Sequence, residues 1–245
     1  MKGLKLALPL TLACNCVLAG TMGPYPTTSG TILTLSMGPS WSVPGETQTI
    51  LLQTDFPQTY PAIKHLETSY SGEVFLGRLL ALTPRFYLQF GFALAGTTRV
   101  GLQGDIWQEA DPDFNNFSYS YKIEHLHTAV KGKLLPNINR SVQPYLSASI
   151  GVGFNHAYNF STIAKSTEVD EEAPFASRTQ SSFTYTLGAG LQKKFCTHYA
   201  IGIGYEFADW GRSQLASSLD QTIGRGLRLN HLYTHQIQFS LSFIA

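Results

Sequence analysis

The stretch that decides the fold is Ala148-Ser149-Ile150-Gly151-Val152-Gly153-Phe154-Asn155-His156-Ala157-Tyr158-Asn159-Phe160. Its even positions are mostly apolar and end in aromatics, while its odd positions are mostly small or polar. A period of two puts alternate side chains on opposite faces of a strand. Outward from this stretch the pattern repeats. Phe183, Tyr185, Leu187, Ala189 and Leu191 alternate with Thr184, Thr186, Gly188, Gly190 and Gln192. Ile201, Ile203, Tyr205 and Phe207 alternate with Gly202, Gly204 and Glu206, and Tyr233, Ile237, Phe239, Leu241 and Phe243 with Thr234, Gln236, Gln238, Ser240 and Ser242. Phe86, Leu88, Phe90, Phe92 and Leu94 face away from Gln89, Gly91, Ala93, Thr97 and Arg99. Segments 31–42, 71–82 and 119–134 keep the period less strictly. In 71–82, placing Val74 and Leu76 outward also places Arg78 outward.

Eight strands of about 9–14 residues result, close to the 9–11 tilted residues that cross a bilayer. Short connections lie at Thr83-Pro84-Arg85, Pro136 to Ser141 and Phe195 to His198. Long ones lie at about 44–70, 105–118, 161–180 and 211–225. Long and short connections alternating through an eight-stranded meander predict an all-β, antiparallel, up-and-down transmembrane barrel with short periplasmic turns and four outer loops. Closure is what hydrocarbon demands, because every backbone N–H and C=O there must be paired within the protein. A soluble β-barrel carrying a lipophilic ligand, with apolar residues turned inward, is the architectural alternative.

Composition agrees. Only 13% of the 245 residues are charged, against about a quarter in soluble domains. No run beyond the N-terminus approaches the ~20 apolar residues of a membrane helix. The net charge of +1 excludes a polybasic nucleic-acid binder, and 43% hydrophobic content argues against disorder. Lys2 and Lys5 precede the apolar Leu6 to Leu12, and Val17-Leu18-Ala19 precedes Gly20, which predicts a signal peptide over 1–19 cleaved after Ala19. Lipidation at Cys14 or Cys16 is the rival, disfavoured by Thr11 where an aliphatic residue is wanted. Residues 20–30 form a short N-terminal segment and 31–245 the barrel. Cleavage leaves Cys196 as the single cysteine, so no intrachain disulfide is expected. It also leaves 15 basic against 16 acidic residues, a net charge of −1.

Charges sort by topology. The short turns and their flanks carry Arg85, Lys131, Lys133, Arg140, Lys193 and Lys194 and no acid. The long loops are acidic, with Glu109, Asp111, Asp113, Glu168, Asp170, Glu171 and Glu172 among them. Parity turns Arg99, Glu206 and Arg228 toward a lumen that an eight-stranded barrel fills with side chains, so these three are the expected structural lumen charges. Asp111-Pro112-Asp113-Phe114-Asn115 starts like a calcium loop but has Asn116 at position 6 and Lys122 at position 12, so the EF-hand reading fails. Weak divalent binding by the acidic loops, shared with lipopolysaccharide phosphates, stays open. The pairs Gly151/Gly153, Gly188/Gly190 and Gly202/Gly204 lie inside strands and open no helix, so they are expected to make room for large lumen neighbours rather than to bind nucleotide. His125, His127, His231 and His235 pair as i, i+2 and i, i+4, and on a strand His125 and His127 share a face, so a metal pair or an acid–base role is geometrically possible there. No third residue completes a catalytic set, and no catalytic, cofactor or metal site is assigned. Tyr119, Tyr121, Tyr158, Phe160, Phe183, Tyr185, Tyr205, Phe207 and Trp210 cluster on the long-loop side, as an interfacial girdle requires.

With these features the chain resembles the opacity-type surface antigens and the transmembrane barrel of outer-membrane protein A, a superfamily of eight-stranded barrels of Gram-negative bacteria. The closing Gln236-Ile237-Gln238-Phe239-Ser240-Leu241-Ser242-Phe243 looks like the C-terminal signal read by the barrel assembly machinery, although Ile244 and Ala245 follow where an aromatic is usually terminal. Ala19-Gly20-Thr21-Met22-Gly23-Pro24 looks like the mature start of small barrels found in paralogous sets in intracellular Gram-negative bacteria. The resemblance implies an integral outer-membrane protein in contact with outer-membrane lipids and lipopolysaccharide. It also implies no cofactor and loops that meet a host or surface ligand. With no further domain after residue 245, the envelope-tethering role of larger relatives is not expected. The expected function is a non-enzymatic surface antigen or interaction protein. An outer-membrane enzyme acting on lipid A or phospholipid, or a narrow pore, is the alternative.

Overall fold

The computed structural model describes residues 30–53, 56–138, 141–165, 175–218, 221 and 225–245. The expected leader, most of the 20–30 segment and the acidic stretch from Glu168 to Glu172 lie outside the described residues. Among the described residues twelve strands follow one another. They are β1 (Thr31–Ser42), β2 (Gln48–Gln53), β3 (Phe56–Tyr60), β4 (Glu67–Thr83), β5 (Phe86–Gln108), β6 (Asn115–Pro136), β7 (Val142–Ala164), β8 (Arg178–Lys194), β9 (Tyr199–Asp209), β10 (Ser213–Gln214), β11 (Arg228–Leu229) and β12 (Tyr233–Ile244). Eight of them close an antiparallel ring in the order β1-β4-β5-β6-β7-β8-β9-β12, with β12 pairing back on β1.

The ring is staggered. The register runs Ile32–Gly77–Gly91–Lys131–Ser149–Thr186–Ala208–Thr234 and returns to β1 at Ser42. One circuit therefore climbs ten residues, from position 32 to 42. With strands about 4.8 Å apart and a rise of about 3.3 Å per residue, that shear tilts the strands by about 40° and gives a backbone radius of about 8 Å. Side chains fill so narrow a lumen.

The faces are sorted as a lipid-immersed barrel needs. Leu33, Leu35 and Met37 of β1, Phe90 and Phe92 of β5, Ile150 and Val152 of β7, and Phe239 and Leu241 of β12 stand exposed on the outside. Thr34, Ser36, Gln89, Ser149, Thr186, Gln192, Gln236 and Gln238 are buried inside. On β4, Val74, Leu76 and Arg78 all point outward, and Arg78 lies close enough to the short-turn end for its guanidinium to reach the interface. On β5 the outward apolar set runs from Phe86 to about Thr98, which at that tilt is about 30 Å, near the height of a bilayer core.

The strands do not stop where the lipid does. β5, β6 and β7 have 23, 22 and 23 residues rather than 9–14. The expected loop 105–118 is reduced to residues 109–114 with a 3-10 turn at Pro112–Phe114, and the loop 44–70 contains β2, β3 and the start of β4. β7 runs into 161–180, and the last loop extends from 210 to 232 with β10 and β11 inside it. The reason is an inversion of sidedness. Above the apolar belt, Val100, Leu102 and Ile106 of β5 and Phe117, Tyr119, Tyr121 and Ile123 of β6 turn inward. Their water-facing partners are mostly polar, a composition that reads as loop.

Two bulges perform the inversion. Between Thr97 and Val100, β5 spends one residue more than its partner β6, and β7 does the same between Tyr158 and Ser161. Apolar residues of β5 keep even numbers from Phe86 to Ile106, but the bulge turns that parity from outside to inside. In β7 the extra residue is accommodated at Asn159, which has φ of 58°, a conformation Asn tolerates better than most residues. Phe160 beyond it packs inward.

Glycines leave room for large lumen side chains. A Cβ on Gly204 would lie 2.1 Å from the Tyr145 hydroxyl, and one on Gly153 would lie 2.6 Å from His125. Gly91 differs, because its Cβ would meet backbone, the Leu76 carbonyl at 2.1 Å and Gly77 Cα at 2.4 Å. Gly91→Ala should therefore cost about 1–3 kcal/mol of overpacking, while Gly204→Ala costs less because the Tyr145 tip can swing into an adjoining cavity. Urea midpoints of refolded protein should fall in that order, and equal midpoints would show that the sheet yields as easily as a side-chain tip.

Candidate functional site

The lumen is occupied in layers. Nearest the short turns, Ile32, Phe75, Leu79, Tyr87, Ala93 and Leu135 form an apolar plug. Above it lies a cavity of about 30 Å3 lined by Gln89, Lys133, Tyr145 and Ser147, with the Lys133 ammonium 3.8 Å from the centre of the Tyr145 ring.

The next layer is ionic. Lys131 Nζ donates to both Glu73 oxygens at 2.7 Å and to Glu206 Oε2 at 2.8 Å. Gln238 and Gln236 donate to Glu206 Oε1 at 3.1 and 3.3 Å. Two carboxylates converge on one ammonium, and all three side chains are buried.

Above this network His125 and His127 lie on the same inner face of β6, joined Nε2 to Nδ1 at 3.1 Å. His125 Nδ1 is 2.6 Å from Asn155 Oδ1. The Trp210 ring stacks on the His125 imidazole and lies tilted at 37° against that of His127, with centroids 4.4 and 4.6 Å away. Asn155 Nδ2 donates to the carbonyls of Trp210 and Arg212 at 2.8 and 2.7 Å, fastening the last loop into the mouth. Gly211, at φ of 71°, makes the turn that follows, and a Cβ there would lie 2.1 Å from Ser182 Oγ.

A cap covers the mouth. Leu215, Leu227, Leu229 and Leu232 of the last loop pack with Trp210, Ile50, Tyr60 and Phe175 against the inward aromatics of β5 and β6. Burial pushes the Tyr119 and Tyr121 phenols up, so both stay neutral at physiological pH. Outside the cap, the carbonyl of Ile63 and then the Glu67 carboxylate raise the pKa of His65.

The expected lumen charges separate. Glu206 is inside, 3% exposed. Arg99 is not, because the β5 bulge at 97–100 throws it onto the outer surface. Arg228 is not either, because it sits exposed on β11 in the cap rather than on a barrel strand. Lys131 is the cation of the layer in place of the expected arginines, and Glu73 is a second acid beside Glu206. Lys131 shares the odd parity of His125 and His127 on β6, the signal that would have drawn it inside instead of to a turn flank. Trp210 reads as girdle by its position at a strand end, although Gly211 beside it marks a chain reversal.

The four histidines also part company. His231 Nδ1 lies 2.8 Å from Asp209 and His235 Nδ1 2.6 Å from the Tyr205 hydroxyl, both at exposed positions, whereas His125 and His127 are buried in the lumen. Asp111 uses its carboxylate to accept from the Asp113 amide. Among the described residues no three His, Cys, Asp or Glu side chains gather as a metal site.

A closed eight-stranded sheet with an apolar outside and a filled polar inside defines an integral outer-membrane β-barrel. No protein-family model matches the chain, and no curated protein matches it either. Solved structures similar to it include Neisserial surface protein A, at 9% identity over 88% of this chain and 98% of that one, TM-score 0.42. OprG from Pseudomonas aeruginosa is 12% identical over 88% and 97%, TM-score 0.47. The outer membrane protease OmpT from Escherichia coli is 8% identical over 92% and 99%, TM-score 0.45. At such identities the likeness is one of fold.

Proposed function

We propose that this protein is a non-enzymatic surface-display barrel whose long-loop end faces the cell exterior and meets host or environment there, after removal of residues 1–19. The observation that carries this reading is the packed body above the apolar belt. There β5, β6 and β7 continue as a wall, and wall and cap share a soluble-type core. Such a core is built to hold an exposed surface in one shape. The filled lumen supports a display role over a pore, and the separation of the histidines supports it over lipid chemistry. Outer-leaflet lipopolysaccharide surrounds the rim, where Tyr158 donates to Glu124 at 2.6 Å.

Cysteine labelling tests the orientation. In a Cys196→Ser background, Asp113→Cys at the exposed tip of the β5–β6 connection should react with a membrane-impermeant maleimide on intact cells. The native Cys196, in the turn before β9, should react only after the outer membrane is permeabilised. The reverse pattern would overturn the display reading. Lipid A mass should be the same in cells carrying the wild type or His125→Ala/His127→Ala, and a change dependent on that pair would restore the enzyme reading.

A further inference from the structure

A cleft of about 500 Å3 opens in the cap between β2, the last loop and the upper end of β8. Three arginines line it, Arg212, Arg225 and Arg228, and all three side chains are exposed. Their backbones are engaged. Arg228 exchanges two hydrogen bonds with the Gln48 amide, at 2.9 and 3.1 Å, and Arg212 N donates to Ser182 Oγ at 2.8 Å. Their guanidiniums have no hydrogen-bond or ion-pair partner among the described residues, and no described carboxylate lines the cleft. Glu46, the nearest acid along β2's approach, is taken by the amide and side chain of Asn230 at 2.8 and 2.7 Å.

We propose that this cleft binds a sugar carrying two or more phosphate or sulfate ester groups. Three unpaired guanidiniums around one cleft repel one another, and an anion with several oxygens relieves that repulsion while each planar fork takes two of them. Amides suit the neutral hydroxyls of such a sugar. Gln180 Oε1 and Ser213 Oγ are buried with no hydrogen-bond partner among the described residues, and both residues line the cleft. A turn of either side chain toward the cleft would let a sugar hydroxyl donate to it. Ile50 and Leu229 supply an apolar floor for the ring, and the volume lies within the range of about 300–1,000 Å3 usual for small-ligand sites.

The inference rests on the display reading, because only an exterior cap meets such sugars. Binding is measured on the refolded full chain in neutral detergent micelles, with a dextran sulfate oligosaccharide against neutral dextran of equal length. A second arm uses bis-phosphorylated lipid A in phosphatidylcholine vesicles. Saturable binding of the sulfated probe is expected and none of the neutral one. Each of Arg212→Gln, Arg225→Gln and Arg228→Gln should weaken it by about tenfold, Arg228→Lys should weaken it less, and Arg85→Gln at the opposite end should leave it unchanged. Lipid A binding alone, with the same arginine dependence, makes the ligand a membrane-anchored phosphosugar. Absence of both, or binding indifferent to the three arginines in variants that keep their heat-dependent gel shift, overturns the proposal. Micellar binding does not depend on orientation, so the cysteine labelling fails or succeeds separately.

Discussion

Lys131→Met will destabilise the folded barrel by about 3–5 kcal/mol, the usual cost of removing one partner from a buried charge group. The wild-type layer holds two carboxylates on one ammonium, with Glu73 and Glu206 each within 2.8 Å of Lys131 Nζ. Without the ammonium, two negative charges face one another in a lumen only about 8 Å in backbone radius. Gln236 and Gln238 donate to Glu206, and Glu73 has no partner but Lys131 in this network. Glu73→Gln alone should cost about 1 kcal/mol, because Lys131 keeps Glu206 as its counter-ion. Lys131→Met combined with Glu73→Gln and Glu206→Gln should recover most of the loss, because a neutral, hydrogen-bonding layer replaces an uncompensated one. The readout is the urea midpoint of the heat-dependent gel shift in refolded protein. A drop below about 1 kcal/mol in the single Lys131 variant would show that water solvates the carboxylates and that the layer is not dry.

How far the chain is legible in advance follows from the same physics. Ile150, Val152 and Phe154 announce a strand because lipid outside and a polar lumen inside impose a period of two with full contrast. Strand order, closure and the outward apolar face follow from that contrast. The same rule misplaces Arg99, because a bulge adds one residue to β5 without changing its composition and so reverses parity unseen. Ile106, Phe117 and Tyr119 lie in strands that read as loop and rim because above the belt water replaces lipid outside and the polar side chains change faces. Lys131 and Glu73 form an ion group 58 residues apart in sequence, and only the register of β4 against β5 and β6 brings them together. The cap is illegible for a related reason, since its leucines are spaced by loop contacts and follow neither strand nor helix period.

Trp210→Ala will release the cap while leaving the barrel closed. The indole is 2% exposed and packs against His125 and His127, and truncating a buried Trp costs about 3–5 kcal/mol. That cost falls on the last loop, because the ring's neighbours are the lumen histidines below and the cap above, while the strand ladders on either side stay paired. Local opening of this kind exposes backbone to proteases without global unfolding. Arg212 and Arg228 have exposed side chains but pinned backbones, so the wild type should resist trypsin there and the variant should be cut after both. Asn155→Ala should act in the same direction with a smaller effect, about 1–3 kcal/mol, because it strips the Trp210 and Arg212 carbonyls of their shared donor. Neither variant should conduct in planar bilayers, because the Lys131 layer and the apolar plug of Phe75, Leu79, Tyr87 and Leu135 remain below. If Trp210→Ala instead lowers the midpoint of the whole heat-dependent shift with no protease-sensitive step, cap and barrel fold as one cooperative unit. Conductance steps in that variant would mean that the cap alone closes the lumen and that the ionic layer and the plug do not seal it.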